Sequence, residues 1–165
     1  MTDTNAPSEG ERPPLAYLQF DPQGWLDAIP HGRALGIRCT GIEEGRARLE
    51  MPYRADLVGD PETGVLHGGV ITTLLDTVSG LAALSALDRL RSMATLDLRI
   101  DYMRPASPEE TVFAEAHCYR LTRSVAFVRG LAHHGDPEAP IAASSASFML
   151  DTGSARKARA GETPS

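Results

Sequence analysis

The stretch that decides the fold is GVLHGGVITTLLDTVSGLAALSAL, residues 64–87. Its apolar residues recur at helical spacing from Gly68 to about Leu87, which predicts a helix roughly 30 Å long. Asp76 is the only formally charged residue between positions 63 and 87. The helix face around this acid is small and weakly polar, whereas a solvated face carries Lys, Glu and Arg. We call this face the small-residue stripe; beside Asp76 it contains Gly69, Thr72, Thr73, Ser79, Gly80 and Ala83.

The small-residue stripe has two compatible functional interpretations. Small side chains allow another backbone or a partner helix to approach closely, and they also leave room for a narrow ligand groove in which one carboxylate performs chemistry. Both hold if the groove lies at an interface between subunits. The alternative is a structural acid that is either satisfied by neighbouring threonine hydroxyls or simply exposed to solvent.

The predicted helix is preceded by His67 and opens with Gly68 and Gly69. Amides in the first turn have no partner within the helix and lie at the positive end of its dipole, so they can hold a developing oxyanion. An acid eight residues after Gly68, on an otherwise uncharged helix, strengthens this interpretation. The sequence contains no G-x-S-x-G, which argues against an α/β-hydrolase, and no glycine-rich motif for nucleotide phosphates.

The segments around the long helix predict an α+β fold with a largely antiparallel sheet. A short helix is expected around Pro22–Ile29, stopped by Pro30. Two alternating runs meet at a hairpin loop in which Gly45 suits the position with positive φ. After the long helix, Leu96, Leu98, Ile100 and Tyr102 alternate with polar residues. Three further strands are predicted near 111–120, 124–132 and 141–150, and only the long helix can cover the apolar face of this sheet.

Length and composition limit the class of protein. The 165 residues suit one domain at 15–151, with disordered tails at 1–14 and 152–165. The net charge of −6 argues against nucleic-acid binding, and a threonine-rich helix interrupted by an acid argues against a membrane span. Two cysteines are too few for a disulfide framework, and the polar N-terminus does not resemble a signal peptide, so we expect a cytoplasmic protein.

The sequence resembles a known family in the residues just described. Gly64 to Val70, the run Leu74-Leu75-Asp76 and the later run from Ala94 to Leu98 closely resemble the hotdog-fold acyl-CoA thioesterases of the phenylacetate-degradation (PaaI) type. This resemblance implies an antiparallel sheet wrapped around one long central helix. It also implies a homotetramer built as a dimer of dimers, with acyl-CoA sites at the dimer interface and no cofactor beyond the CoA of the substrate.

The resemblance also implies roles for individual residues. The Gly68 N–H would polarise the thioester carbonyl, and Asp76 would act as nucleophile or general base. Thr95 would orient water, and His67 would support the loop. The acid and the glycine amide of one site would come from different subunits.

Further residues are candidates for binding the substrate or its CoA part. Gly69 and Ser79 lie near the expected site, but Pro61 stands where relatives often carry an Asn or Gln side chain. Arg120 and Arg123 flank a predicted turn and suit CoA phosphates, although solvated turn charges are the more common explanation of such residues. The pair His133-His134 lacks the spacing of a metal site, and no metal is expected.

Two other functions stay open at this level. The first is a non-catalytic module that binds acyl-CoA or a small ligand, for which Pro61 is the best support. A hydratase is the poorer alternative because the central helix has no Asp-x-x-x-x-His pair. The sequence does not decide between aryl and medium-chain acyl groups, because one methylene changes the binding free energy by only about 1–3 kcal/mol.

Overall fold

A computed structural model describes residues 14–151. The tails expected at 1–14 and 152–165 therefore lie outside the described residues, apart from Pro14. That residue begins a helix instead of belonging to a tail.

Three short helices precede the sheet: α1 (Pro14–Phe20), α2 (Pro22–Asp27) and α3 (Pro30–Leu35). The carboxylate of Asp21 accepts a hydrogen bond from Gly24 N and so caps α2. The helix expected at 22–29 therefore ends earlier, at Asp27. Pro30 does not only stop a helix, because it is also the first residue of α3. Proline suits a first helical position because its missing N–H would have no partner there.

The described part of the chain continues with eight strands. They are β1 (Arg38–Glu43), β2 (Arg46–Met51), β3 (Val58–Asp60), β4 (Val65–Leu66), β5 (Met93–Tyr102), β6 (Val112–Leu121), β7 (Val125–His133) and β8 (Ala142–Leu150). Six of them form one antiparallel sheet in the order β1-β2-β6-β7-β8-β5, while β3 and β4 pair separately. Gly45 has a φ of 68° in the β1–β2 loop, as the sequence predicts.

The long helix α4 (Gly68–Ser85) packs against the sheet and forms the centre of the core. Length and composition alone would allow α4 to cross a membrane, but 61% of it is buried within the fold. Ser79 and Ala83, both assigned to the small-residue stripe, are wholly buried. The stripe is therefore narrower than the sequence predicts, because the sheet covers more of the helix circumference than one apolar face.

Within residues 14–151, strand β5 has a neighbour on one side only, β8, and so lies at an edge of the sheet. A β-bulge interrupts its pairing: Thr95 is opposite Phe148, and Asp97 is opposite Ser147. Leu96 is the extra residue and is 55% exposed. The bulge turns Thr95 towards the inner face of the sheet, whereas regular alternation would place it on the outer face with Asp97.

Candidate active site

The acid and the hydroxyl predicted for the site lie together. Thr95 Oγ1 donates a hydrogen bond of 3.0 Å to Asp76 Oδ1, which joins the edge strand to the middle of α4. Asp76 is half-buried in the single chain, so its carboxylate is held on one side and accessible on the other. This arrangement leaves the acid free to accept a proton or to attack a bound electrophile.

The start of α4 is organised by His67. Its Nδ1 accepts a hydrogen bond of 3.0 Å from the Gly69 amide, and its carbonyl accepts one from Val70 N. A Cβ on residue 69 would lie 2.9 Å from His67 Nδ1, so glycine allows the capping ring to approach. The Gly69 amide is occupied by His67 Nδ1, and contact between Gly69 and substrate stays a prediction. Within residues 14–151 the Gly68 amide has no hydrogen-bond partner, which makes it a free donor in this turn.

Tyr102, at the end of β5, is a site residue that sequence analysis missed. Its hydroxyl donates to the Gly68 carbonyl at 2.7 Å and lies 2.9 Å from Thr72 Oγ1. An aromatic residue at a strand end is not a functional signal in itself, and only the fold brings this one to the helix. Both Thr95 and Tyr102 therefore connect β5 to α4.

One chain does not bring Gly68 and Asp76 to the same reacting atom. Eight residues separate them, which is about 12 Å along a helix axis. An oxyanion donor and a general base each act at about 3 Å from atoms of the same reacting group. The separation fits a site in which the two residues come from different subunits.

Two grooves flank the beginning of α4. The first has a volume of about 380 Å³ and contains Gly68 and Tyr102 together with mainly apolar residues. The second, also about 380 Å³, lies beside His67, Gly69 and Thr73. The remaining apolar residues of the first groove are Val65, Leu66, Ile71, Met103, Pro105, Ala106 and Ile141.

Two predicted binding residues lie elsewhere. Ser79 is buried in the core on the side of Gly130, and its hydroxyl has no partner among the described residues, so the prediction that it contacts substrate is wrong for this chain. Pro61 is exposed at the tip of the β3–β4 hairpin and lines neither groove. The hairpin packs closely on the site through Gly59, since a Cβ there would lie 2.7 Å from His67 Cα.

Arg120 and Arg123 are exposed at the turn between β6 and β7. The carbonyl of Ser124 in this turn accepts a hydrogen bond from Leu150, which pairs with the first residue of β5. The turn is thus at the end of the sheet where β5 begins, two residues before Thr95. Both arginines remain candidates for the phosphates of a CoA ester.

The two consecutive histidines, His133 and His134, form hydrogen bonds with backbone groups of neighbouring loops. His134 Nε2 accepts from Ser107 N at 2.8 Å, and its Nδ1 lies 2.9 Å from the Thr111 carbonyl. His133 Nδ1 accepts from Gly135 N, and burial lowers the pKa of this histidine. Residues 14–151 contain no cluster of three or more His, Cys, Asp or Glu side chains that could hold a metal ion.

Comparison of this chain with known proteins identifies the class of protein to which the fold and the site belong. Residues 63–141 match the thioesterase superfamily. An Escherichia coli protein is 31% identical over 135 residues, which cover 74% of this chain and 86% of that protein. The chain belongs to the thioesterase superfamily and is a thioester hydrolase with the hotdog fold. The resemblance found in the sequence is confirmed.

Three similar proteins show which members of the superfamily this chain resembles. The Escherichia coli protein is a medium/long-chain acyl-CoA thioesterase, YigI. A crystal structure from Pseudomonas aeruginosa has a TM-score of 0.72 and 42% identity, and the match covers 80% of this chain and 98% of that one. A variant of the phenylacetic acid degradation protein PaaI from Thermus thermophilus has a TM-score of 0.64 and 27% identity, covering 73% and 97% respectively.

Proposed function

We propose that this protein hydrolyses acyl-CoA thioesters, with Gly68 and Asp76 as the reacting pair. The observation that carries the proposal is the hydrogen bond from Thr95 to Asp76, because it fixes the one acid of an otherwise uncharged helix. Gly68 N–H, at the positive end of the helix dipole, would donate a hydrogen bond to the thioester oxygen and stabilise the negative charge that develops there.

The chemistry needs only these groups and water. With Asp76 as general base, the carboxylate takes a proton from a water molecule while the oxygen of that water attacks the carbonyl carbon. The C–S bond then breaks. The proton passes to the departing CoA thiolate, giving free acid and CoA. With Asp76 as nucleophile, its oxygen displaces the thiolate and water hydrolyses the resulting anhydride. Neither course requires a cofactor.

We propose a medium- or long-chain aliphatic acyl group as the preferred substrate. The groove of about 380 Å³ beside Gly68 is lined mainly by apolar side chains, including Ile71 and Met103. The Escherichia coli relative acts on medium and long chains, which favours the same class here. Arg120 and Arg123 would then bind the CoA phosphates at the end of β5.

The site would be completed by a second copy of the chain in the cytoplasm. Strand β5 has ten residues, its outer edge is unpaired among residues 14–151, and such an edge readily pairs with another strand. Pairing of two β5 strands would continue the sheet across a dimer, and two dimers would form the homotetramer expected from the family. The roughly 12 Å between Gly68 and Asp76 in one chain supports this shared site.

A thiol-release screen over aryl, medium-chain and long-chain CoA esters tests the proposal. We expect turnover that is highest on aliphatic chains. A thermal shift with acyl-CoA but without thiol release would instead identify a binding module. Light scattering on the same sample should give a mass above that of the 17.7 kDa chain, and a stable, active monomer would refute the shared site.

A further inference from the structure

We propose that Tyr102 is a positioning residue that holds the carbonyl of Gly68 and so fixes the glycine whose own amide is presented to substrate. This inference rests on the proposed function, in which Gly68 N–H is the oxyanion donor. It adds a residue on a different element, the end of the edge strand β5, to the oxyanion half of the site.

The contacts of Tyr102 converge on one carbonyl. Its hydroxyl donates to Gly68 O at 2.7 Å, and Thr72 Oγ1 lies 3.2 Å from the same oxygen and 2.9 Å from the tyrosine hydroxyl. The ring packs over the glycine, since a Cβ on residue 68 would lie 3.5 Å from the hydroxyl and 3.6 Å from Cζ. The Tyr102 hydroxyl, the Tyr102 ring and the Thr72 hydroxyl thus define the position of a peptide that two glycines would otherwise leave free.

The hydrogen bond from Tyr102 matters because the residues that it restrains are glycines. Gly68 and Gly69 have no side chains to limit φ and ψ, so this first turn is the least constrained part of α4. On the other side of the turn, His67 Nδ1 holds the Gly69 amide. Tyr102 holds the carbonyl of the same peptide, and together the two contacts fix its plane. The Gly68 N–H belongs to the preceding peptide and stays unoccupied, and φ and ψ of Gly68 set its direction relative to the fixed plane.

Burial does not account for Tyr102. The residue is 52% exposed, so its ring contributes little to the core, and its hydroxyl would be hydrated if it left the Gly68 carbonyl. Its side chain also forms part of the apolar groove in which the acyl chain is expected. A residue placed between groove and amide can hold the donor at a fixed position relative to the substrate.

Tyr53 provides a matched control. Its hydroxyl donates to the Gly64 carbonyl at 3.0 Å, which is the same type of bond, to a glycine of the same connecting segment, but four residues before the donor amide. Tyr102→Phe and Tyr53→Phe each remove one hydroxyl and keep the ring. If both tyrosines are only structural, the two variants will lose similar stability and both will retain kcat.

We expect Tyr102→Phe to lower kcat about tenfold with KM within twofold of wild type, because the donor is less well ordered but substrate contacts remain. Tyr53→Phe should keep kcat within twofold at a similar loss in Tm. An unchanged kcat in Tyr102→Phe, or an equal loss in Tyr53→Phe, would overturn the inference. A raised KM with unchanged kcat would also overturn it, since Tyr102 would then bind substrate instead of positioning the amide.

Backbone NMR on the same variants tests, without an activity assay, whether Tyr102 orders Gly68 and Gly69. Tyr102→Phe should shift the Gly69 amide resonance and lower the heteronuclear NOE of Gly68 and Gly69, whereas Tyr53→Phe should act at Val65. Unchanged order at Gly68 in Tyr102→Phe would refute the positioning role. A wild-type protein without thioesterase activity would refute the proposed function, and the NMR comparison would still test whether Tyr102 orders this peptide.

Discussion

Replacing Asp76 with Asn separates the chemistry of the carboxylate from its place in the fold. Asn keeps an oxygen that can accept the Thr95 hydroxyl, now 3.0 Å from Asp76 Oδ1, but it cannot take a proton from water or attack a thioester as a carboxylate does. A general base typically contributes about 10²–10⁴-fold to the rate. We therefore expect kcat to fall at least about a hundredfold, which corresponds to about 2.7 kcal/mol of barrier.

The same substitution should have a small effect on stability. A hydrogen bond to a charged group contributes about 1.5–3 kcal/mol and one between neutral groups about 0.5–1.5 kcal/mol. Because the bond from Thr95 is weakened and not lost, Asp76→Asn should reduce the free energy of unfolding by about 1 kcal/mol. In a domain of this size that is a change in Tm of a few degrees, roughly 2–5 °C.

Asp97→Asn is the matched control, because it removes the same charge from an exposed position two residues beyond Thr95 on the same strand. Thiol release on the best acyl-CoA should remain within twofold of wild type in this control. Mass by light scattering should be unchanged in both variants. If Asp76→Asn retained more than a tenth of wild-type kcat, or Asp97→Asn lost as much, the assignment of Asp76 would be wrong.

Three further predictions concern other parts of the molecule. Thr95→Ala should lower kcat about tenfold, less than Asp76→Asn does, because it removes one donor to the acid; complete loss of thiol release would contradict an orienting role. Gly80→Ala should raise the free energy of unfolding measured in urea by about 0.5–1 kcal/mol, since the added carbon meets its nearest neighbour at an ordinary 3.8 Å. Gly69→Ala should lower this free energy because the added carbon would lie 2.9 Å from the capping imidazole. Burial lowers the pKa of His133 from its usual 6.5, so the unfolded chain takes the proton first. The free energy of unfolding should fall as the pH drops from about 6.5 towards that lowered pKa, and unfolding curves of His133→Gln should show a weaker dependence.

The long helix and the sheet could be predicted from the sequence because each has a strong period. Apolar residues recur at helical spacing from Gly68 onwards, and they change to alternation after Thr95. Local signals of this kind do not depend on the rest of the chain. The positive φ of Gly45 was predictable for the same reason, since a short hairpin loop demands it.

Features set by tertiary contacts were not predictable. Alternation places Leu96 on the inner face of the sheet with Leu98, but the bulge leaves Leu96 exposed and turns Thr95 inwards. The burial of Ser79 depends on how far the sheet curves around α4. The role of Tyr102 depends on the distance between the end of one strand and the start of a helix 34 positions earlier in the chain.

The bulge in β5 also bears on how this protein can evolve. Strands usually tolerate substitutions more readily than changes in length, and loops tolerate both. Here one extra residue sets the phase of the strand, so that Thr95 and Ile100 both face the helix although they differ by an odd number of positions. Deleting Leu96 would make Thr95 and Asp97 consecutive, opposite Phe148 and Ser147, so the strand would alternate regularly and Thr95 would still face Asp76. Along this lineage the position of Leu96 should therefore tolerate loss of one residue as a loop does, because Thr95 and Ile100 share a face with or without it.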